Sequence, residues 1–386
     1  MDSQHILFFG EDWGRHPSTA QHLARELCRT HRITWVNSIG LREPKLGMAD
    51  LGRVVGKVTR ALRPKPESGR ELAATSPVAD ALQPACLVSP WILPWHRSRS
   101  VRALNRLLLR RPLRAQVEPD SAVLVSANPA SYYLHDLVRP RATVYYCADK
   151  YAQIAGLNPR LVERFEREML DRADLVVATS RALVDDLSRS HANVAYLPHG
   201  VDVGLFATTL ELPRSVAAPC IGFVGLLGEH IDLNLLSALA DAMDDGRILC
   251  AGPIEAGVVA PRHPRIEYLG PLPQVELPAM LAETDICILP YTESERNHYA
   301  NPTKVREYLA AGRAVVATDQ PGIADIDGDV RIGRTGAEFV SLALAALAEA
   351  RMKEPSKAVD IGASMQAHGW DARADAFSKL LEQICD

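Results

Sequence analysis

Lys304 and Glu307 lie three residues apart in the stretch NPTKVREYLAAG, with Asn301 and Pro302 ahead of them and Gly312 behind. The pattern predicts a helix. Asparagine is a good N-cap, proline suits the first helical position, and glycine fits the position just past the end. A lysine in the first turn opposes the partial positive charge that a helix N-terminus already carries. An anion bound there relieves the misfit, held by free backbone N–H groups, the dipole and the ammonium together. A pairing of Lys304 with Glu307, one turn deeper on the same face, relieves it equally well. Both readings stay open on the local pattern.

The elements around this helix must position it. Asp285 to Thr318 reads DICILP, then the polar run YTESERNHYA, then the helix, then RAVVAT. The two apolar runs are expected to be buried strands, giving the strand, loop, helix, strand unit of a parallel sheet. The same alternation runs along most of the chain. His5–Phe9 is a strand ending in Gly10, followed by a ligand-sized loop with Asp12 and His16, a helix from about Ser18 to Arg29, and the strand Ile33–Val36. No GxGxxG follows the first strand, so the dinucleotide fingerprint is absent. Further strands are expected at Ala122–Ser126, Ala142–Tyr146, Leu175–Thr179 and Val194–Leu197, with helices from about Ala130, over LVERFEREMLDRA and after Ser180. Gly204 to Ala218 reads as a linker. A second series starts at Cys220–Val224, with Gly225 and Gly228 behind it, and ends in helical regions at about Gly336–Arg351 and Trp370–Cys385. The expectation is two α/β domains of similar size joined near residue 210.

Composition bounds the function. A chain of 386 residues is comfortable for two domains. A net charge of −4 argues against a general nucleic-acid binder. Seven scattered cysteines without a CxxC suggest reduced, buried thiols in a cytosolic protein rather than disulfides or a zinc site. No signal peptide and no apolar segment of membrane-spanning length is read.

Residues 40 to 85 are poorly patterned and read as a long insertion. Seven arginines follow between Arg97 and Arg114, a span of eighteen residues without an acid. Val101, Leu104 and Leu108 form one helical stripe, and Arg102, Arg106 and Arg110 another. The first reading is a surface helix packed through its apolar stripe. The second is a basic amphipathic helix lying on an anionic membrane, which Trp91 and Trp95 favour because indoles suit the interface.

The ordered motifs resemble a GT-B glycosyltransferase of the family 4 type, within it the teichuronic-acid biosynthesis branch of bacterial sugar transferases. They are ERFEREMLDRADLVVATSRAL, YLPHGVDVGLF, GFVGLLGEHIDLNLL, LPQVELPAMLAETDICILPY, NPTKVREYLAAGRAVVAT and WDARADAFSKLLEQI. Residues 40–115 match poorly. The resemblance implies an α/β protein of two Rossmann-like doubly wound domains facing a central cleft. Residues 1–205 would bind the acceptor, 215–365 the nucleotide-sugar donor, and a C-terminal helix within 366–386 would cross back to the first domain.

Site residues follow from the resemblance position by position. Glu307 matches the glutamate that holds the nucleotide ribose. A second glutamate, eight residues earlier in many relatives, is here Tyr299, so contacts to the donor sugar must come from Tyr291, Asn301 or the Glu293–Glu295 loop. Relatives that grip the diphosphate with an Arg and a Lys after the glycine loop are not matched by Leu226–Ile231. Lys304, with Thr303 and the helix N-terminus, would then carry the phosphate, beside Gly225 and Gly228. Pro271-Leu272-Pro273 matches a loop that contacts the base through its backbone, or is a simple turn.

Sugar transfer develops negative charge on the departing nucleoside diphosphate, and a metal or a positive site must stabilise it. Asp325-Ile326-Asp327 and Asp327-Gly328-Asp329 fit a metal-binding DxD but sit in a turn. The preferred answer is metal-free, with no cofactor beyond the nucleotide-sugar co-substrate. An inverting reaction also needs a base. Asp149, after a buried strand, is the first candidate; it could equally cap a helix or pair with Lys150. Asp12 and His16 are candidates for base or acceptor contact. The reading is a cytoplasmic transferase using a UDP- or GDP-linked sugar and a polysaccharide or lipid-linked acceptor, with contact to the inner membrane face through 91–114. An epimerase of the same architecture, or an inactive donor-binding subunit, is the alternative.

Overall fold

The structure is a computed structural model that describes residues 3–15, 18–38, 82–93, 95–154, 156–213, 218–324, 326–352 and 365–385. His16, Asp325 and most of the 40–85 insertion lie outside the described residues. The chain divides into two compact units. The first is Met1–Thr179, Leu183–Leu197 and Ala374–Asp386; the second is Ser180–Ala182 and Pro198–Arg373.

The first unit holds β1 (His5–Phe9), β2 (Arg32–Val36), β3 (Cys86–Val88), β4 (Ala122–Ser126), β5 (Ala142–Cys147), β6 (Leu175–Ala178) and β7 (Val194–Tyr196). They form one parallel sheet in the order β3-β2-β1-β4-β5-β6-β7. All residues of β4 and β5 are buried, which is why AVLVS and ATVYYC read as unbroken apolar runs. The edge strand β3 comes from the stretch next to the insertion; three residues are too few to show a period.

The second unit holds β8 (Cys220–Val224), β9 (Arg247–Ala251), β10 (Ile266–Gly270), β11 (Ile286–Leu289), β12 (Ala314–Thr318) and β13 (Val330–Gly333). Their order is β10-β9-β8-β11-β12-β13, again all parallel. One buried cluster lies under the Thr303–Ala310 helix through Val305, Tyr308 and Leu309, and another gathers Leu236, Leu239, Phe339 and Ala343. Each unit is doubly wound, as a GT-B fold requires. Strand order reverses between β1 and β4 and between β8 and β11, the positions where open α/β sheets bind ligands at their carboxyl ends.

Two expectations need correction. The supposed linker contains a helix, Val203–Ala207, and a turn of 3-10 helix, Thr208–Glu211. Asp202 caps it by accepting from Leu205 N at 2.9 Å, and Phe206 is fully buried, so the segment packs rather than hangs. The arginine-rich helix, Arg99–Arg114, also presents a different face to the protein. Arg102, Asn105, Leu109 and Leu113 are buried, while Leu104 and Leu108 of the expected packing stripe are 43% and 42% exposed. Apolar residues lie on both sides of this helix, so its period alone could not pick the inner face. Backbone hydrogen bonds to Arg102 and Asn105 decide it.

The C-terminal helix, Trp370–Cys385, begins in the second unit and ends in the first. In the first unit Ser378 Oγ lies 2.8 Å from His31 Nε2, and Phe377 packs edge-on to Tyr146.

Candidate functional site

The helix with Lys304 and Glu307 spans Thr303–Ala310 and stops at Ala311, with Gly312 just beyond at φ +70°. Asn301 is not its cap. Pro302 occupies that position and its ring has no group to cap with, while the Asn301 Oδ1 accepts from Arg306 Nη1 at 2.8 Å. The first-turn N–H groups therefore receive no side-chain cap. Asn301 is 5% exposed, and its Nδ2 finds no partner among the described residues. Lys304 Nζ lies 2.7 Å from Glu307 Oε2, so the two charges pair as one of the sequence readings allowed. Both side chains keep some exposure, 28% and 10%.

Tyr308 fixes this helix to the sheet. Its hydroxyl accepts from Val224 N at 2.7 Å and donates to Val224 O at 3.2 Å, at the last residue of β8 before the glycine loop. Burial pushes the phenol well above its ordinary range, so it stays a neutral donor. The glycine loop is packed against its neighbour: a Cβ on Gly252, at φ +148°, would lie 1.9 Å from Gly225 O. Gly228 is confined as well, since a Cβ there would meet Glu255 Oε2 at 2.3 Å.

The loop after β11 is tied to the glycine loop from the other side. Ile231 bridges Tyr291, Thr292 N donates to His230 O at 3.0 Å, and Thr318 Oγ1 donates to Tyr291 O at 2.8 Å. Asn297 does most of the fastening. It is 2% exposed, and its Nδ2 donates to His230 O and Thr292 O, both at 2.9 Å. Asn297 belongs to a short helix, Glu295–Tyr299, capped by Ser294. Arg296 on the same helix is exposed and makes no ion pair with an acid among the described residues. Burial, and after it the Arg296 charge, hold the His230 imidazole below its ordinary value. The glycine loop thus has a cation beside it, borne by another strand's loop. Leu272 follows Gly270 (φ +73°) and packs half-buried on the core with Tyr291. Thr303 is half-buried at the start of the Lys304 helix.

In the same unit, behind the Lys304 helix, lies a cationic cluster. His199 is 6% exposed. Burial, then Arg306 and Arg373, hold it down to about 3, so it is neutral. His199 and Gly200 pack on Trp370, and Val201 N donates to His368 O at 3.1 Å.

In the first unit Asp149 is exposed just past β5. Lys150 pairs with Asp186 and, at 4.0 Å, with Glu166. Tyr145 donates to Glu166 Oε1 at 2.9 Å. Tyr151 ties the loop after β5 to the loop after β4 by donating to Ala127 O at 2.5 Å. Asp12 stands after β1, 3.7 Å from Arg15, with its carbonyl accepting from Gln21 Nε2 at 3.3 Å. The buried Gln21 also accepts from Gly14 N, which shapes this loop.

Of the residues singled out from sequence, Lys304, Glu307, Asn301, Thr303, Gly225, Gly228, Leu272 and Tyr291 all lie in the second unit, and Asp149 and Asp12 in the first. Sequence reasoning passed over Tyr308, Asn297, Arg296 and His199. Only Arg296 carried a local signal, as a basic residue in the loop flanking the helix. The Asp325-x-Asp327 pattern falls partly outside the described residues, and Asp329 engages Arg331 at 3.5 Å. No three His, Cys, Asp or Glu side chains cluster as a metal site among the described residues.

Residues 218–352, all within the second unit, match the family model described as Glycosyl transferases group 1. The chain is 29% identical over 200 residues to TuaH of Bacillus subtilis (strain 168), named for teichuronic acid biosynthesis as a glycosyltransferase. That match covers 46% of this chain and 50% of the relative, so it spans about half the length of the curated protein. Among solved structures, sucrose-phosphate synthase from Thermosynechococcus elongatus superposes with a TM-score of 0.67 at 15% identity, covering 99% of each chain. Anabaena Alr3699/HepE, solved in complex with UDP-glucose, gives 0.65 at 12% identity over 98% of this chain and 99% of that one. At such identities these likenesses establish the GT-B fold.

Proposed function

We propose that this chain transfers a sugar from a UDP- or GDP-linked donor to a polysaccharide or lipid-linked glycan, without a metal. The observation that carries the reading is the uncapped start of the Thr303–Ala310 helix with Lys304 in its first turn, inside the stretch that matches the Glycosyl transferases group 1 family. A nucleoside diphosphate leaving group needs fixed positive charge where its own charge grows. Lys304 and the free N–H groups supply it, and Arg296 adds a second cation from the loop after β11. As the phosphate draws Lys304 away, Glu307 is released to accept from the ribose hydroxyls. Gly225 and Gly228 let backbone approach the donor closely. The loop of Leu272 serves the base, and Tyr291, Asn301 and Thr303 serve the sugar and the phosphate.

On the acceptor side, Asp149 takes the proton of the attacking hydroxyl as its oxygen bonds the anomeric carbon. The bond from that carbon to the diphosphate oxygen breaks with its electron pair on the leaving group. Asp12 orients the acceptor. The acceptor is membrane-borne in this reading, met at the inner face of the plasma membrane through the 91–114 region.

A transfer assay with UDP- and GDP-linked sugars tests the proposal. Transfer should persist in EDTA and fall about hundredfold or more in Asp149→Asn. Epimerised donor in the absence of acceptor would replace this reading with an epimerase. Tight nucleotide binding with no turnover on any acceptor would replace it with a binding subunit.

A further inference from the structure

The Arg99–Arg114 helix turns a second apolar face away from the protein. Leu104, Leu107 and Leu108 are 43%, 66% and 42% exposed, and Trp91 and Trp95 are 55% and 40% exposed. Single exposed leucines are ordinary, but a contiguous group is not. Contiguity follows from the polar bonds beneath. Asn105 Oδ1 accepts from Leu93 N and its Nδ2 donates to Leu93 O, both at 2.9 Å. Arg102 Nη1 donates to the carbonyls of His96 and Arg97, at 2.5 and 3.1 Å. The two buried side chains clamp the segment carrying both tryptophans along the helix. Trp91 and Trp95 flank the clamped Leu93, and Leu104 and Leu107–Leu108 flank Asn105. His96 is inserted the other way, buried near Tyr133 and Phe165.

The crest's own two segments carry charge of one sign. Arg97, Arg99, Arg110, Arg111 and Arg114 are exposed, Arg106 pairs with Asp136 at 3.1 Å, and no acid occurs between Trp91 and Val117. The whole chain carries −4, so attraction to an anionic surface is local to basic faces such as this one rather than general. A protein partner would have to match Arg99, Arg110, Arg111 and Arg114 with acids of its own. A bilayer of anionic lipids satisfies them with phosphates at any position and takes up the indoles and leucines at its interface. No helix among the described residues is long and apolar enough to cross a membrane, so the contact lies in the plane of the surface.

We infer that the crest of Trp91, Trp95, Leu104, Leu107 and Leu108, ringed by Arg97, Arg99, Arg110, Arg111 and Arg114, docks the protein on an anionic phospholipid bilayer. The inference deepens, and rests on, the reading of the acceptor as membrane-borne. The buried Arg102 and Asn105 serve the dock by holding its two segments together, so Arg102 is turned inward and not out with the arginine stripe.

The test is co-sedimentation of the full chain with phosphatidylglycerol–phosphatidylcholine vesicles against phosphatidylcholine vesicles alone. Binding should require the anionic lipid and weaken with salt. Replacing Arg110, Arg111 and Arg114 by serine should lower partitioning on the order of a hundredfold, and Leu107→Asp at least about tenfold. Leu104→Ser is a milder second probe, and UDP- and GDP-sugar binding, read by thermal shift, should be unchanged in all three variants. Failure of the wild-type chain to bind anionic vesicles overturns the inference, as does binding that these substitutions leave intact. A dimer that Leu107→Asp turns into a monomer, without vesicle binding, would assign the face to a second copy instead. Nucleotide-sugar binding without vesicle binding sinks the dock alone; vesicle binding without nucleotide-sugar binding sinks the transferase reading alone.

Discussion

At the scale of single residues, Lys304 and Glu307 answer each other's charge at 2.7 Å. That pair was legible because its logic is local: helix start, dipole and an i, i+3 partner. Arg296 was harder to read, since its place beside the glycine loop depends on a neighbouring strand's loop. Arg296→Ser should weaken donor binding by about tenfold, from loss of one charge-assisted contact, with little change in stability; calorimetric titration with UDP- and GDP-sugars would show it. His199 was legible only as a member of the motif YLPHGVDVGLF, with nothing local to show its burial. Held near 3 in the folded state against an ordinary 6.5, it is neutral there and charged in the unfolded chain between those values. Its contribution is complete above pH 6.5, erodes as pH falls, and is lost at about 3. One such proton gives a slope of at most about 1.4 kcal/mol per pH unit. Urea unfolding in His199→Phe should therefore decline less steeply from about pH 6 to 4 than in the wild type; parallel declines would contradict the assignment.

At the scale of elements, the candidate donor site is a set of loops held by buried polar side chains. Asn297 binds two carbonyls, His230 O and Thr292 O, from a nearly inaccessible position. Asn297→Ala should cost about 1–3 kcal/mol of stability by leaving those groups unmatched, and should raise the donor KM more than it lowers kcat. Normal KM would mean the fastening is structural only. The central strands were legible because parallel sheets covered on both faces demand continuous apolar runs, as CIGFV and AVVAT show. The short edge β3 was not, nor was the inner face of Arg99–Arg114. There Leu107, Leu108 and Leu109 follow one another, and the hydrogen bonds of Arg102 and Asn105 across the fold settle which side is buried.

At the scale of the whole molecule, two parallel sheets each reverse strand order once, and the candidate site residues fall after the strands that flank those reversals or beside them. Gly225 follows β8, Tyr291 follows β11, Asp12 follows β1, and Asp149 follows β5. The sequence showed this alternation, and its ordered motifs carried the resemblance that implies the GT-B class. It placed the helix with Lys304 in the right strand-to-strand connection. It could not show that Pro302 rather than Asn301 stands at the helix start, because the asparagine is drawn off by a buried arginine one turn along. The claim that matters most is that this uncapped start, with Lys304, holds the donor diphosphate. Its most direct test is calorimetric titration of UDP- and GDP-sugars into the wild-type chain and Lys304→Ala. A loss of about tenfold or more in affinity, with the fold intact, is the predicted result. Equal affinity in the two proteins would contradict it.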